Sequence, residues 1–103
     1  GYDSAIANCI TYAADMGARG ANVSFGGVCG APIIQAAAKY MRDRGGVVTA
    51  SAGNTGTQDT TSDTSLMTCV GATNSVDGRT SWSTYGPFVD VAAPGENIYT
   101  TIN

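Results

Sequence analysis

The sequence predicts an α/β fold built on a parallel sheet of about four strands, with two helices on one face. Two observations predict it: a helix–glycine–strand unit occurs twice in the first half, and short apolar segments recur in the second half. Repeated helix–strand units are typical of parallel sheets with crossover helices. With 103 residues, the chain is one domain or part of one, and it can bury a modest core.

The first unit starts at the N-terminus. Asp3 and Ser4 are favourable N-cap residues, and Ile6, Ile10, Ala13 and Ala14 follow at helical spacing. A helix is therefore predicted from about Ser4 to Met16, with Gly17 as its stop. A short strand over residues 21–25 follows and ends at two glycines.

The second unit repeats this order. Pro32 suits the first turn of a helix, and Gly45 and Gly46 end that helix before a strand over residues 47–51. The apolar face of this helix consists of Ile33, Ile34, Ala37, Ala38 and Met41. Right-handed crossovers would place both helices on the same face of the sheet.

The second half predicts further strands over residues 67–72 and 88–92, and a short edge strand over 97–102. A polar loop over residues 55–65 precedes them. No segment is predicted to cover the second face of the sheet, although parallel sheets are normally buried on both faces. An uncovered apolar face predicts further polypeptide of the same domain, a partner chain or self-association.

Composition disfavours several classes of function. The formal net charge is −3, and the basic residues are scattered, so nucleic-acid binding is not expected. No apolar run is long enough to span a membrane. The scarcity of charge, 13% of residues, and the abundance of small and hydroxyl side chains suit a compact secreted α/β protein.

The cysteines leave alternatives open. Cys9, Cys29 and Cys69 lack a CxxC motif, and the chain has no histidine, so neither zinc binding nor a catalytic cysteine is expected. All three could be small buried apolar residues. Alternatively, a helix and the following strand could bring Cys9 and Cys29 together as a disulfide.

Residues 45–54, GGVVTASAGN, predict a buried strand that runs into a turn of small residues and ends at Asn54. An asparagine amide on a rigid support can donate a hydrogen bond to an oxygen on which negative charge develops. Asn54 could instead be an ordinary turn residue. The chain contains no histidine, the usual general base, so it would hold only part of a hydrolytic site.

Four segments together resemble the subtilisin-like serine proteases, or subtilases. They are ANVSFGG at 21–27, GGVVTASAGNTG at 45–56, CVGAT at 69–73 and SWSTYGPFVDVAAPGENIYTT at 81–101. The resemblance implies that residues 1–103 are a partial peptidase domain, the second half of the three-layer-type parallel sheet of that family. It also implies a secreted parent protein that hydrolyses peptide bonds.

The resemblance implies roles for individual residues. Asn54 matches the oxyanion-hole asparagine. Ser24, Phe25 and Gly26 match the segment that pairs with the substrate backbone and lines one side of the S1 pocket. Ala52 and Gly53 match the opposite wall, which would admit an apolar or medium-sized P1 residue. Residues 24–27 could alternatively be an ordinary strand end.

The resemblance also implies a calcium site, formed by the Asp90 side chain with backbone carbonyls near Ser65 and Met67. Oxygen ligands suit calcium. Asp90 could instead be a hydrogen-bonded structural carboxylate. The glycines in FGGVCG, residues 25–30, form neither of the common phosphate-binding motifs, so a nucleotide cofactor is not expected.

The chain also departs from the family pattern. The catalytic Asp and His of the family would precede Gly1, and the nucleophilic Ser would follow Asn103. The loop after Asn54 is shorter than usual and lacks a proline. The chain alone is therefore predicted to be inactive. The alternative hypothesis is a non-catalytic α/β module that self-associates or binds peptide through the uncovered face.

Overall fold

The computed structural model describes residues 1–102, and in it two helices lie on one face of a four-stranded parallel sheet. In chain order the elements are α1 (Tyr2–Asp15), β1 (Gly20–Val23), α2 (Pro32–Asp43), β2 (Val47–Ser51), β3 (Thr68–Thr73) and β4 (Val91–Pro94). The spatial order of the strands is β1-β2-β3-β4, and each neighbouring pair is parallel. The predicted fold class is confirmed.

Helix α1 begins two residues earlier than predicted, at Tyr2, with Gly1 as its N-cap. The Ser4 hydroxyl donates a hydrogen bond to the Gly1 carbonyl at 2.8 Å, so Ser4 lies inside the first turn and is not the cap. At the other end, Gly17 has a φ of 88°, a conformation that glycine adopts without steric cost, and the helix stops as predicted.

Helix α2 has Pro32 as its first residue and ends at Asp43, as the sequence predicts. A Cβ added at Gly46 would lie 2.6 Å from Cγ of Met41, so a larger residue there would have to displace the buried Met41 side chain. Ile34, Ala38 and Met41 are fully buried, and they fix α2 against the sheet. Neither helix, within residues 1–102, is long and apolar enough to cross a membrane.

The two faces of the sheet differ in character. Val48, Ala50 and Cys69 are buried beneath the helices. The opposite face carries Asn22 and Thr49, whose side chains form a hydrogen bond of 3.0 Å. Alternation along β2 places Ser51 on that face as well. Within residues 1–102 no helix lies on this face, and its polar part is formed by β1 and β2.

The end of the chain differs from the prediction. Strand β4 begins at Val91 and not at Phe88, because the Val89 N–H donates to the Gly86 carbonyl and closes a turn first. The edge strand predicted over residues 97–102 is wrong, since no strand lies there. Asn97 has a φ of 56°, which interrupts the extended backbone that a strand requires.

The disulfide predicted between Cys9 and Cys29 is also wrong. Cys29 is bonded to Cys69, with 6.3 Å between their Cα atoms, and Cys9 is free and exposed on α1. Cys69 lies on the face of β3 that the helices cover, and the segment after β1 crosses this face, so Cys29 comes to rest over β3. Cys9 points away from this layer.

Two long connections, one from β2 to β3 and one from β3 to β4, bond to each other. The Gly56 N–H donates to the Trp82 carbonyl at 3.0 Å, and the Asp59 N–H donates to the Tyr85 carbonyl at 2.8 Å. A Cβ added at Gly86 would overlap the carbonyl oxygen of Asp59. The two connections therefore form one layer at the carboxyl ends of the strands.

Replacing both Cys29 and Cys69 with alanine should lower the free energy of unfolding by about 2–4 kcal/mol, because the bond closes a long loop in the unfolded chain. Urea unfolding of the purified chain measures this. The matched control is Cys9→Ala, which removes an exposed thiol and should change stability by less than about 0.5 kcal/mol. Equal losses in both proteins would contradict the assigned pairing.

Substituting Gly86→Ala should destabilise the chain by about 1–3 kcal/mol or more, because the new methyl group would force the two connections apart. Gly20→Ala is the control, since its Cβ would meet only one atom, 3.9 Å away. Thermal unfolding followed by circular dichroism compares the two variants. A Gly86→Ala protein as stable as the Gly20→Ala protein would show that the connections are not tightly packed.

Candidate substrate-binding cleft

Asn54 lies at the first turn beyond the carboxyl end of β2, and its side chain is exposed. Its amide forms no hydrogen bond with any group of residues 1–102, so both N–H bonds are free to meet a bound molecule. Gly53, immediately before it, has a φ of 109°, which turns the chain sharply out of the strand. The turn predicted from the small residues around Asn54 is present.

Thr84 holds this turn in place. Its side chain is buried, and its N–H donates to the Gly53 carbonyl at 2.9 Å. The Thr84 Oγ1 accepts a hydrogen bond of 3.0 Å from the Thr55 N–H and lies 2.8 Å from the Thr55 hydroxyl oxygen. The backbone is therefore bonded to Thr84 on both sides of Asn54. Sequence reasoning missed Thr84, since one threonine among many carries no signal of such a role.

Asn54 opens onto a cleft of about 440 Å³ at the carboxyl ends of the strands. Ligands of open α/β sheets commonly bind at this edge. Of the predicted site residues, the structure brings Ser24, Gly53 and Asn54 together here, and Ser51 and Trp82 line the same cleft. Asn22 and Ser83 also line it, so the cleft combines two amides, three hydroxyl groups and an indole ring.

The remaining predicted residues, Phe25, Gly26 and Ala52, do not line this cleft. Gly26 and Gly53 approach closely, since a Cβ added at Gly26 would lie 3.2 Å from the Gly53 Cα. The Phe25 ring contacts the Tyr2 ring edge-on, with 5.5 Å between centroids, in a groove between α1 and β1. The side chain of Phe25 thus lies outside the cleft. Ala52 is buried and lines a second pocket.

This second pocket, called here the acidic pocket, has a volume of about 250 Å³. It is lined by Asp3, Gly27, Cys29, Gly30, Ala31, Ala52, Asp59, Thr61 and Phe88. The Asp59 Oδ1 accepts hydrogen bonds from the Thr61 hydroxyl at 2.6 Å and from the Thr61 N–H at 2.8 Å. These bonds lower the pKa of the Asp59 carboxyl, the hydroxyl contributing more than the N–H. The carboxylate is therefore ionised at neutral pH.

The residues of the expected calcium site already take part in other hydrogen bonds. The Ser65 carbonyl accepts a hydrogen bond of 3.2 Å from the Arg42 guanidinium, a positive group that would repel a cation. One oxygen of Asp90 accepts a bond of 2.7 Å from the Cys69 N–H. Over residues 1–102, no group of three or more acidic, Cys or His side chains could hold a metal. Calcium binding at Ser65, Met67 and Asp90 stays a sequence-based prediction.

Comparison with known sequences gives relatives over nearly the whole chain. Thermitase of Thermoactinomyces vulgaris is 45% identical over 100 residues, which are 95% of this chain and 36% of that protein. A thermophilic serine proteinase of Bacillus sp. (strain AK1) is 43% identical over 101 residues, 96% of this chain and 25% of its own length. The chain thus spans about a third or less of the length of these relatives.

Comparison with solved structures gives the same fold. The prenylagaramide maturation protease PagA superposes with a TM-score of 0.79 at 22% identity, covering 93% of this chain and 38% of the other. A lanthipeptide protease superposes with a TM-score of 0.77 at 21% identity, covering 90% and 34%. A sequence model of the subtilase family matches residues 1–103. The chain therefore belongs to the subtilase family.

Proposed function

We propose that residues 1–103 supply the oxyanion hole and one substrate-binding wall of a serine endopeptidase. The observation that carries this proposal is the free amide of Asn54, held by Thr84 at the cleft that Ser24 also lines. Amide donors fixed before the reaction stabilise developing charge without reorganisation, and such stabilisation is often the largest single contribution to catalysis.

In the proposed reaction, a peptide lies beside residues 24–26 as an added strand, bonded through its backbone. Its scissile carbonyl faces Asn54, whose Nδ2 donates to the carbonyl oxygen as that oxygen becomes negative. The serine nucleophile and the histidine base come from polypeptide beyond this chain, which contains no histidine. The contribution of Asn54 is thus electrostatic, and it grows along the reaction coordinate.

We further propose that the parent protein is secreted. The Cys29–Cys69 bond supports this, because structural disulfides persist in oxidising compartments and are rare in the cytosol. Both cysteines are buried, so the bond is part of the hydrophobic core and not a surface feature.

A second candidate is a non-catalytic module that self-associates. The observation that favours it is an apolar groove of about 570 Å³ between α1 and β1, lined among others by Tyr2, Ile6, Ile10 and Phe25. Size-exclusion chromatography with light scattering distinguishes the two. A stable dimer whose formation Ile6→Glu abolishes would favour the module, and a monomer would favour the protease fragment.

The purified 103-residue chain should show no amidase turnover, because it has no histidine to act as the usual general base. Release of p-nitroaniline from peptide substrates measures this. Turnover that a serine-directed inhibitor abolishes would overturn the proposal that the nucleophile and base lie elsewhere.

Asn54 can be tested where a triad is present, by exchanging this chain for the matching third of thermitase. In that chimera Asn54→Leu should lower kcat by about 10²–10³, the effect known for the corresponding donor of subtilisin, with little change in KM. The loss should fall on kcat because the bond strengthens only in the transition state.

Asn8→Leu is the control for that experiment, since Asn8 is exposed on α1 and lines neither the cleft nor the acidic pocket. Its kcat should stay within about twofold of the unsubstituted chimera. Equal kcat values for the Asn54→Leu and Asn8→Leu chimeras would remove Asn54 from the proposed reaction.

A further inference from the structure

We propose that Arg79 is a positioning residue for the proposed oxyanion donor, Asn54, and that it acts through the backbone of Thr84. The inference rests on the proposed function and adds the group that holds the supporting segment in place. Arg79 does not line the cleft, so it takes no direct part in the proposed chemistry.

The guanidinium of Arg79 folds back over the segment that carries Thr84. Its Nη1 donates to the Ser83 carbonyl at 2.9 Å and to the Thr80 carbonyl at 3.1 Å. Its Cζ lies 4.3 Å from the centroid of the Tyr85 ring, a distance at which the ring face attracts a cation. Arg79 therefore contacts the residues on both sides of Thr84 in the chain.

One peptide group links Arg79 to the turn at Asn54. The Ser83 carbonyl and the Thr84 N–H belong to the same planar, trans peptide group, so they point in opposite directions. The carbonyl accepts the bond from Arg79, and the N–H donates to the Gly53 carbonyl at 2.9 Å. A rotation of this peptide plane would break both bonds together, and the cation at one end polarises the group and strengthens the bond at the other.

The Ser83 carbonyl depends on Arg79 for its hydrogen bond. Ser83 is buried, and among residues 1–102 its carbonyl accepts a bond only from the guanidinium. Without this donor the carbonyl would be left unsatisfied, which favours a rotation of the peptide plane toward water. The same rotation turns the Thr84 N–H away from Gly53 and moves the Thr84 Oγ1 away from the Thr55 N–H, which now lies 3.0 Å from it.

Arg44 provides a matched comparison within the chain. Its Cζ lies 3.3 Å from the centroid of the Tyr40 ring, and its Nη1 donates to the Tyr40 carbonyl at 3.1 Å. Within residues 1–102 neither arginine forms an ion pair. Arg44 caps the end of α2 and lines no part of the cleft, so it makes the same two kinds of contact without a link to Asn54.

The first experiment is a double-mutant cycle in the thermitase chimera, with succinyl-Ala-Ala-Pro-Leu-p-nitroanilide as the substrate. Arg79→Met removes the donors and the charge, and it should lower kcat by about tenfold or more with little change in KM, because the amide is displaced from the developing charge. In the Asn54→Leu background the same substitution should change kcat by less than about twofold, since the group through which it acts is gone.

Arg44→Met is the control, and it should leave kcat within about twofold in both backgrounds. If Asn54→Leu leaves kcat unchanged, the proposed function fails. If Asn54→Leu lowers kcat but Arg79→Met has no effect, or lowers kcat by the same factor in both backgrounds, only the present inference fails. Should Arg79→Met not fold, the cycle is run with Arg79→Lys, which keeps a charge near Tyr85 but lacks the planar fork of donors.

The second experiment uses the 103-residue chain itself and needs no catalysis. Amide hydrogen exchange is followed by NMR in the ¹⁵N-labelled chain and in its Arg79→Met and Arg44→Met variants. Arg79→Met should speed exchange at the Thr55 and Thr84 amides by about tenfold or more and leave the amide of Met41 in α2 unchanged, because the opening is local. Equal acceleration at Met41, or none at Thr55 and Thr84, would overturn the inference even if the chimera is inactive.

Discussion

The bonds between Thr84 and the turn at Asn54 are the constraint on which the cleft depends. An asparagine side chain can stabilise an oxyanion only if its backbone is held where the charge develops. The strand below fixes the turn on one side, and the buried Thr84 fixes it on the other through its N–H and its hydroxyl. In the proposed reaction Thr84 is thus a positioning residue, which acts through the backbone of its neighbours.

The layer formed by the two long connections also contributes residues to both the cleft and the acidic pocket. The connections after β2 and β3 are bonded to each other from Gly56 to Tyr85, so the turn at Asn54 and the carboxylate of Asp59 belong to one rigid unit. Glycines occur where that unit meets the end of β1. A side chain at Gly53 would meet Thr84 Oγ1 at 2.9 Å, which shows how little space remains there.

Much of the fold could be predicted from the sequence, because its signals are local. Helix α2 and strand β2 follow from an apolar periodicity bounded by Pro32 and Gly45, and both elements lie where predicted. The start of α1 was misplaced because Ser4 can bond to Gly1 from inside the first turn. Capping preferences alone do not show whether Ser4 is the N-cap or lies inside the first turn.

The long-range features could not be predicted in this way. Pairing of Cys29 with Cys69 depends on which segment crosses β3, and spacing along the chain does not contain that information. The motif indicates Asn54, whereas nothing in the sequence indicates that Asp59 and Thr84 lie where two distant connections meet. Their residue types are common in ordinary loops, so the sequence offers no signal for either.

The Cys29–Cys69 bond has a consequence for cleavage of the backbone. The bond encloses α2, β2, the turn at Asn54 and the polar connection up to β3. A single cut anywhere between these cysteines leaves both pieces covalently joined, and the sheet can hold them in register. A cut in the exposed threonine-rich stretch therefore leaves the piece that carries Asn54 attached to the rest of the chain.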